Sequence, residues 1–473
     1  METSNRSRSV RDKSADLRAA ERGKLSAFLE AFIFYSLIVL VALVAVPYGT
    51  VEPWWEAAFE CTVFFLGLVW IIHGSFSGSW LVGGARVFYP MIALVALALV
   101  QSLPLWQTDW AGTKVWYAIS ADPFESRRFA LKTAALVLAG IMLIRYTSGR
   151  RRLSVLVHAI IGVALATAVF GIARQAVQHA PGFGLARLQP GAGYAQFINK
   201  NHFAYLMEMT MGLIAGIAII HSEVRERILV YLSALLLMFV ALVLSNSRGG
   251  LFAVVAQVVC APAILVGSRT RANGIRSWTR SMAVRTAMVA ALLTVVSGGV
   301  IWLGGDQLAT GVETAGIEIA AADPSEYHDG ARRRDAWRAS WLMFKAHPIM
   351  GAGFGGFWTE VPVFHQGSGR LTPRRAHNDY LEVLASGGIA GVALFVWFAI
   401  AVFKQARLAP SAADGFQRAA ACGATIAIVG VAVHSIFEFG LHITANALVF
   451  VALLGILSLG AMTQPARAGS VAA

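Results

Sequence analysis

Four polar segments carry residue types suited to phosphate binding or proton transfer, and each lies at the edge of a long apolar run. Ser245-Asn246-Ser247-Arg248-Gly249-Gly250 is the whole connection between two such runs, so Arg248 cannot leave the membrane edge. An arginine there can simply snorkel to headgroups. Charged groups in such places more often mark a functional site, and the planar guanidinium fork matches phosphate oxygens. Arg332-Arg333-Arg334 opens a helical pattern. It reads either as a solvated or lipid-contacting charge run, or as a clamp on an anionic lipid headgroup assisted by helix N-terminal amides. Ala376-His377-Asn378-Asp379-Tyr380 precedes the next apolar run. Histidine titrates near neutrality, so His377 can accept a proton from a hydroxyl. Lone loop histidines are commonly inert, and it is the adjacent Asn378 and Asp379 that favour a role here. Asn199-Lys200-Asn201-His202 suffices as a capped helix start, and Lys200 could add charge to a shared phosphate site.

Other signals are weaker. Gly351-Ala352-Gly353-Phe354-Gly355-Gly356 has the glycine density of a nucleotide-binding loop, but no strand precedes it and no Lys-Ser/Thr pair follows. His347, His365 and His377 share a polar stretch with several carboxylates without forming a His-x-x-x-His pair. No metal and no other cofactor is expected. Cys61, Cys260 and Cys422 are far apart in or beside apolar runs and read as packing residues.

The apolar runs must position these groups. Of 473 residues, 57% are hydrophobic and 14% charged, and the mean hydropathy is +0.63. A soluble fold with that balance would lack the polar surface to cover itself. Runs near 28–48, 56–73, 88–104, 129–146, 153–176, 202–221, 228–245, 249–267, 284–304, 386–404, 418–436 and 443–462 predict about twelve spans in an all-α polytopic membrane protein. The net charge of +13 comes from basic clusters such as Arg150-Arg151-Arg152 in alternate connections, which orients both termini to the cytoplasm. No basic domain with interleaved aromatics suggests nucleic-acid binding.

Residues 1–27 then form a retained cytoplasmic tail, 28–304 spans one to nine, and 305–385 a large, partly helical outer loop. Residues 386–462 hold spans ten to twelve, and 463–473 a second cytoplasmic tail. The outer loop 105–128, with Trp106, Trp110, Trp116 and Phe124, suits an interfacial belt. Arg333–Phe344 predicts an amphipathic helix with Trp337, Trp341 and Phe344 on one face and Arg334, Arg338 and Lys345 elsewhere. Such a helix would rest on the membrane with its aromatics down. Pro348 and the glycines end it, Asn378 caps a second helix, and Gly387-Gly388 break that one.

Taken in order, Ser247-Arg248-Gly249, Arg333-Arg334-Asp335-Ala336-Trp337, His347-Pro348 with Gly351 and Gly353, and His377-Asn378 with Tyr380-Leu381-Glu382, Gly387-Gly388 and Gly391 resemble the bacterial O-antigen ligase/polymerase superfamily. The likeness covers mainly residues 196–404. It implies a metal-independent, GT-C-like membrane glycosyltransferase at the periplasmic face of the inner membrane. Such an enzyme takes a glycan from undecaprenyl diphosphate and passes it to lipid A–core, as a ligase, or to another lipid-linked repeat, as a polymerase. The resemblance further implies that Arg248 and Arg333 bind diphosphate and that His377 is the acid–base residue. Arg332 and Arg334 adjoin Arg333 as alternatives, and Lys200, Arg334, Arg338 and Asn378 are the expected further contacts to diphosphate or glycan.

Two other classes compete. A lipid-linked glycan transporter could use the same arginines, but would usually show symmetric halves with broken helices near the midplane. No such symmetry is visible, and the polar groups gather at one face. A purely structural membrane protein would tolerate alanine at Arg248 and His377.

Overall fold

A computed structural model gives the architecture for residues 2–78, 83–110, 112–177, 193–221, 225–266, 329–365 and 373–462. Thirteen α-helices fall within these residues: α1 Glu2–Leu43, α2 Pro53–Ser77, α3 Tyr89–Gln101, α4 Pro123–Tyr146, α5 Arg150–Val177, α6 Lys200–Ile220, α7 Arg225–Leu244, α8 Arg248–Val266, α9 Asp329–Ala346, α10 Phe357–Phe364, α11 Asp379–Leu408, α12 Gly415–His434 and α13 Thr444–Met462. Nine helices among the described residues are long and apolar enough to cross a membrane, while Ala85–Gln101 and Arg248–Ile264 are shorter apolar helices. The chain is therefore a multi-pass membrane protein. The expected ninth span and residues 305–328 of the expected loop lie outside the described residues.

The fold departs from all-α at one point. The predicted Trp-rich loop contains an antiparallel hairpin, β1 Pro104–Trp110 and β2 Thr113–Ala118, with Trp106 opposite Tyr117 and Gln107 opposite Trp116. Aromatic and β-branched residues, alternating with polar ones on β1 and consecutive at Val115-Trp116-Tyr117 on β2, favour this pleat. Gly112, at φ 81°, makes the turn, and its N–H donates to Asp109 Oδ1. Trp106 and Trp116 remain exposed, as an interfacial belt requires.

Helices α6, α12 and α13 form the core of the bundle. Small residues set the closeness of α6 and α12: a Cβ on Gly216 would lie 2.4 Å from Gly423 Cα, and one on Gly212 would lie 2.6 Å from Ala427 Cα. This is the small-residue seam by which membrane helices gain van der Waals contact. At one end of the bundle the helix termini are bonded together. Ala445 N–H donates to Gly49 O, Gln196 Nε2 to Ala45 O, Ser247 Oγ to Asn201 Oδ1, Asp379 N–H to Ser435 O and Lys132 Nζ to His442 O. At the other end Arg152 pairs with Glu30 and Arg150 with Asp414.

The glycine string is a packing junction. Ala352 N–H donates to Ala385 O, Gly353 N–H to Ser386 O and Ala121 N–H to Ala352 O. Gln101 Nε2 bonds Met350 O and Ser386 O, and Gln101 Oε1 accepts from Phe354 N–H. The segment thus binds the α3–α4 connection to α11 where α11 breaks. That break is at Gly388, with φ 58° and ψ −154°, a conformation nearly restricted to glycine. A Cβ there would also meet Ile349 carbonyl atoms at 2.6 Å. Gly388→Ala should therefore lower stability by at least ~1–3 kcal/mol. Gly162→Ala, in α5 with nothing within 4 Å of the added carbon, should not. Thermal unfolding in detergent would check this, and equal midpoints for the two variants would refute it.

Candidate active site

The bonded end of the bundle centres on a carboxylate. Glu438 lies in the short turn between α12 and α13 with its side chain 1% exposed. A carboxylate in such a place needs compensation for lost hydration, and both of its oxygens receive it. Oε1 accepts from His377 Nδ1 at 2.9 Å and from Phe439 N–H at 3.3 Å. Oε2 accepts from Asn201 Nδ2 at 2.5 Å and lies 3.8 Å from Arg333 Nη2. Burial pushes the Glu438 pKa up, but the His377 hydrogen bond and the charges of His377, His202 and Arg333 outweigh it and hold it at about 2. The group is ionised at neutral pH.

Three helix starts meet at this carboxylate. Asn199 caps α6 by accepting from Asn201 N–H. Ser247 caps α8, its Oγ accepting from Gly250 N–H at 3.3 Å while donating to Asn201 Oδ1 at 2.8 Å. Asn378 caps α11 by accepting from Leu381 N–H. Arg248 is the first residue of α8 and is exposed; Lys200 is the first of α6. Helix N-termini carry partial positive charge, so this geometry favours an anion beside the arginines.

His377 has the geometry of a proton acceptor. Its backbone is left-handed at φ 49°, its ring packs edge-on against Phe439, and its side chain is 34% exposed. With Nδ1–H donated to Glu438, the imidazole presents Nε2 as its basic nitrogen, which is the arrangement that orients a histidine base. A second network lies alongside. Arg375 bonds Glu382 at 2.7 Å, and His442 Nε2 lies 3.4 Å from Glu382 and 3.7 Å from Asp379. Burial and the Arg375 charge hold the His442 pKa at about 3 despite the opposing pull of Glu382, so its ring is neutral.

Residues 233–396 match the family model described as O-Antigen ligase. That match supports the O-antigen ligase/polymerase superfamily for this part of the chain. At family level the match implies a glycosyltransferase-type enzyme of ligase or polymerase kind, with lipid-linked glycans and their acceptors as substrates. No curated protein matches the chain.

The O-antigen ligase match spans Arg248, Arg333 and His377, while Glu438 and Asn201 lie outside it. Of the adjoining arginines, Arg333 faces Glu438 and Arg334 is exposed on another face of α9 with Arg338; the Arg332 side chain lies outside the described residues. Asn378, expected at the substrate, uses its Oδ1 as a helix cap. The amphipathic pattern of α9 also reads differently in three dimensions. Ala336, Ala339, Ser340 and Met343 form the buried face, packed toward α10 and α11, and Trp341 stands exposed among the basic residues on the opposite side.

Sequence reasoning missed Glu438, although an acidic residue between two phenylalanines at a span end was a usable signal. It also missed the fully buried Glu208–His434 pair, 2.8 Å apart inside α6 and α12. Among the described residues no group of three or more His, Cys, Asp or Glu could hold a metal ion.

Because the folded Glu438 pKa of about 2 lies below its ordinary 4.5, its contribution is fully present above pH 4.5 and is lost as the pH falls toward 2. Glu438→Gln should therefore be less stable than the natural chain at pH 6 by roughly 3 kcal/mol. The gap should close as the pH approaches 2. Denaturant unfolding of both proteins across this range measures it, and a gap that is constant with pH contradicts the assignment.

Proposed function

We propose that the protein moves a glycan from undecaprenyl diphosphate to a hydroxyl of lipid A–core at the periplasmic face of the inner membrane, as an O-antigen ligase. The observation that carries this reading is the Glu438 hub, which ties His377 and Arg333 to one carboxylate and, through Asn201 and Ser247, to the start of α8 at Arg248.

In the reaction the acceptor oxygen attacks the anomeric carbon, the bond to the diphosphate oxygen breaks, and the diphosphate leaves with the electron pair. The acceptor proton passes to His377 Nε2. Glu438 stabilises the imidazolium so formed and keeps Nδ1 protonated, so the other nitrogen stays basic toward the acceptor. Charge grows on the leaving diphosphate, and Arg248 and Arg333, with the helix starts behind them, supply fixed donors where it grows. Lys200 lies at the head of α6 within this same field, while Arg334 and Arg338, on a different face of α9, take no part in this step. A single in-line displacement inverts the anomeric centre.

A positioned base contributes about 10²–10⁴-fold, and one preorganised donor to a developing anion about 10²–10³-fold. His377→Ala and Arg248→Ala should each reduce transfer in proteoliposomes by factors of that order, at normal expression and unchanged folding. Full activity of His377→Ala would remove the base assignment, and undiminished transfer by Arg248→Ala would remove the diphosphate role. A deletion strain examined by lipopolysaccharide gel identifies the acceptor. Loss of all capped lipopolysaccharide supports a ligase, and a single added repeat would point to polymerisation instead.

A further inference from the structure

Helix α9 carries Arg333 toward the Glu438 hub, but most of its charge lies on another face. At about 100° per residue, Arg334, Arg338, Trp341 and Lys345 fall at i, i+4, i+7 and i+11 and form one stripe. All four are exposed, and the stripe lies opposite the buried line of Ala336, Ala339, Ser340 and Met343. Lys345 Nζ stands 5.7 Å from the centre of the Trp341 ring, so a cation and an indole share one spot at the C-terminal end.

What this face meets can be read from where the helix ends. After Ala346 the chain passes through Pro348 and Ile349, whose carbonyls accept from Ile389 N–H and Ala390 N–H of α11. Ile349 is 69% exposed and Ile389 59%, and exposed Val396, Trp397, Ile400 and Phe403 continue along α11. α11 is a membrane-spanning helix with only 28% of its apolar window buried, so this flank faces lipid. The basic–aromatic stripe therefore terminates where a lipid-facing surface begins. Indoles with lysine and arginine at that boundary are the chemistry of the headgroup zone. With no acidic residue at the stripe positions, its charge complements anionic headgroups.

We infer that the Arg334–Arg338–Trp341–Lys345 face of α9 docks onto anionic phospholipid headgroups of the adjacent leaflet. The docking holds the segment carrying Arg333 against the membrane. Because the claim concerns lipid contact, it stands or falls apart from the glycan-transfer reading.

The test compares the full-length protein in nanodiscs of phosphatidylcholine alone and of phosphatidylcholine with phosphatidylglycerol, following hydrogen exchange over residues 333–346. Slower exchange is expected with phosphatidylglycerol. The difference should weaken at high salt and be lost in Arg338→Glu/Lys345→Glu, with about fivefold less protection for each cation removed. Arg338→Lys should retain most of it, which separates lost charge from lost fold. Equal exchange in the two lipids, or a double variant indistinguishable from the natural chain, would overturn the proposal. Equal protection by inorganic phosphate added to phosphatidylcholine discs would also overturn it, in favour of a soluble-anion site.

Discussion

A single carboxylate buried in the turn between α12 and α13 sets the terms for this end of the molecule. Removing a carboxylate from water costs several kcal/mol unless its lone pairs are matched, and the cost must be offset by groups that arrive from elsewhere. For Glu438 those groups come from α6, from α9 and from the segment before α11. Asn201 passes the linkage on to Ser247 and thus to α8. Four parts of the chain far apart in sequence are brought to one point, and each brings a residue able to handle phosphate or a proton. Compensation of a buried charge and assembly of a reactive constellation are here the same event. Truncating Glu438 would expose several segments to misalignment, not one contact alone.

That hub holds its geometry only because two backbone junctions are tight. The α6–α12 seam fixes Asn201 relative to Glu438, since Gly212 and Gly216 leave no space for a side chain between the helices. The glycine string fixes His377 relative to the rest, since it bonds the backbone of Ala385 and Ser386 just before the break at Gly388. The first junction trades side-chain volume for backbone contact. The second trades conformational freedom for a left-handed path that few other residues could follow. Polar side chains in a low-dielectric setting act strongly only when such a frame keeps them still.

The sequence made the spans legible because lipid demands a long apolar run, and nearly every such run within the described residues is a helix. The caps at Asn199 and Asn378 and the break after Gly387 were legible too, as they rest on local backbone chemistry. The hairpin was not, because aromatic residues near a span edge satisfy a belt and a strand equally well. Glu438 was not, because its importance comes from partners at positions 201, 333 and 377, and pairings of that kind have no local signature. The same holds for Glu208 and His434, each of which looks like an isolated defect in an apolar run until the two are seen to share a hydrogen bond. In α9 periodicity alone favoured the aromatic face as the special one. Packing against α11 instead buries the line Ala336, Ala339, Ser340 and Met343, and so leaves Arg333, not Arg334, facing the carboxylate.

Four histidines crowd this end of the bundle, and their surroundings decide which can meet a substrate. His434 is fully buried and bonded to Glu208 beneath a stacked Tyr205 ring. His202 is 7% exposed and packs edge-on against Phe439. His442 turns its Nε2 toward Glu382 and Asp379, and its low pKa leaves it a poor base at neutral pH. His377 alone among the four combines a third of its side chain in the open with an ionised carboxylate on Nδ1. The Phe439 ring packs edge-on against His377, His202 and His442 alike. A base must hold a proton long enough to stabilise the transition state and then release it. Of the four environments only that of His377 offers a stabilising anion on one side and access on the other.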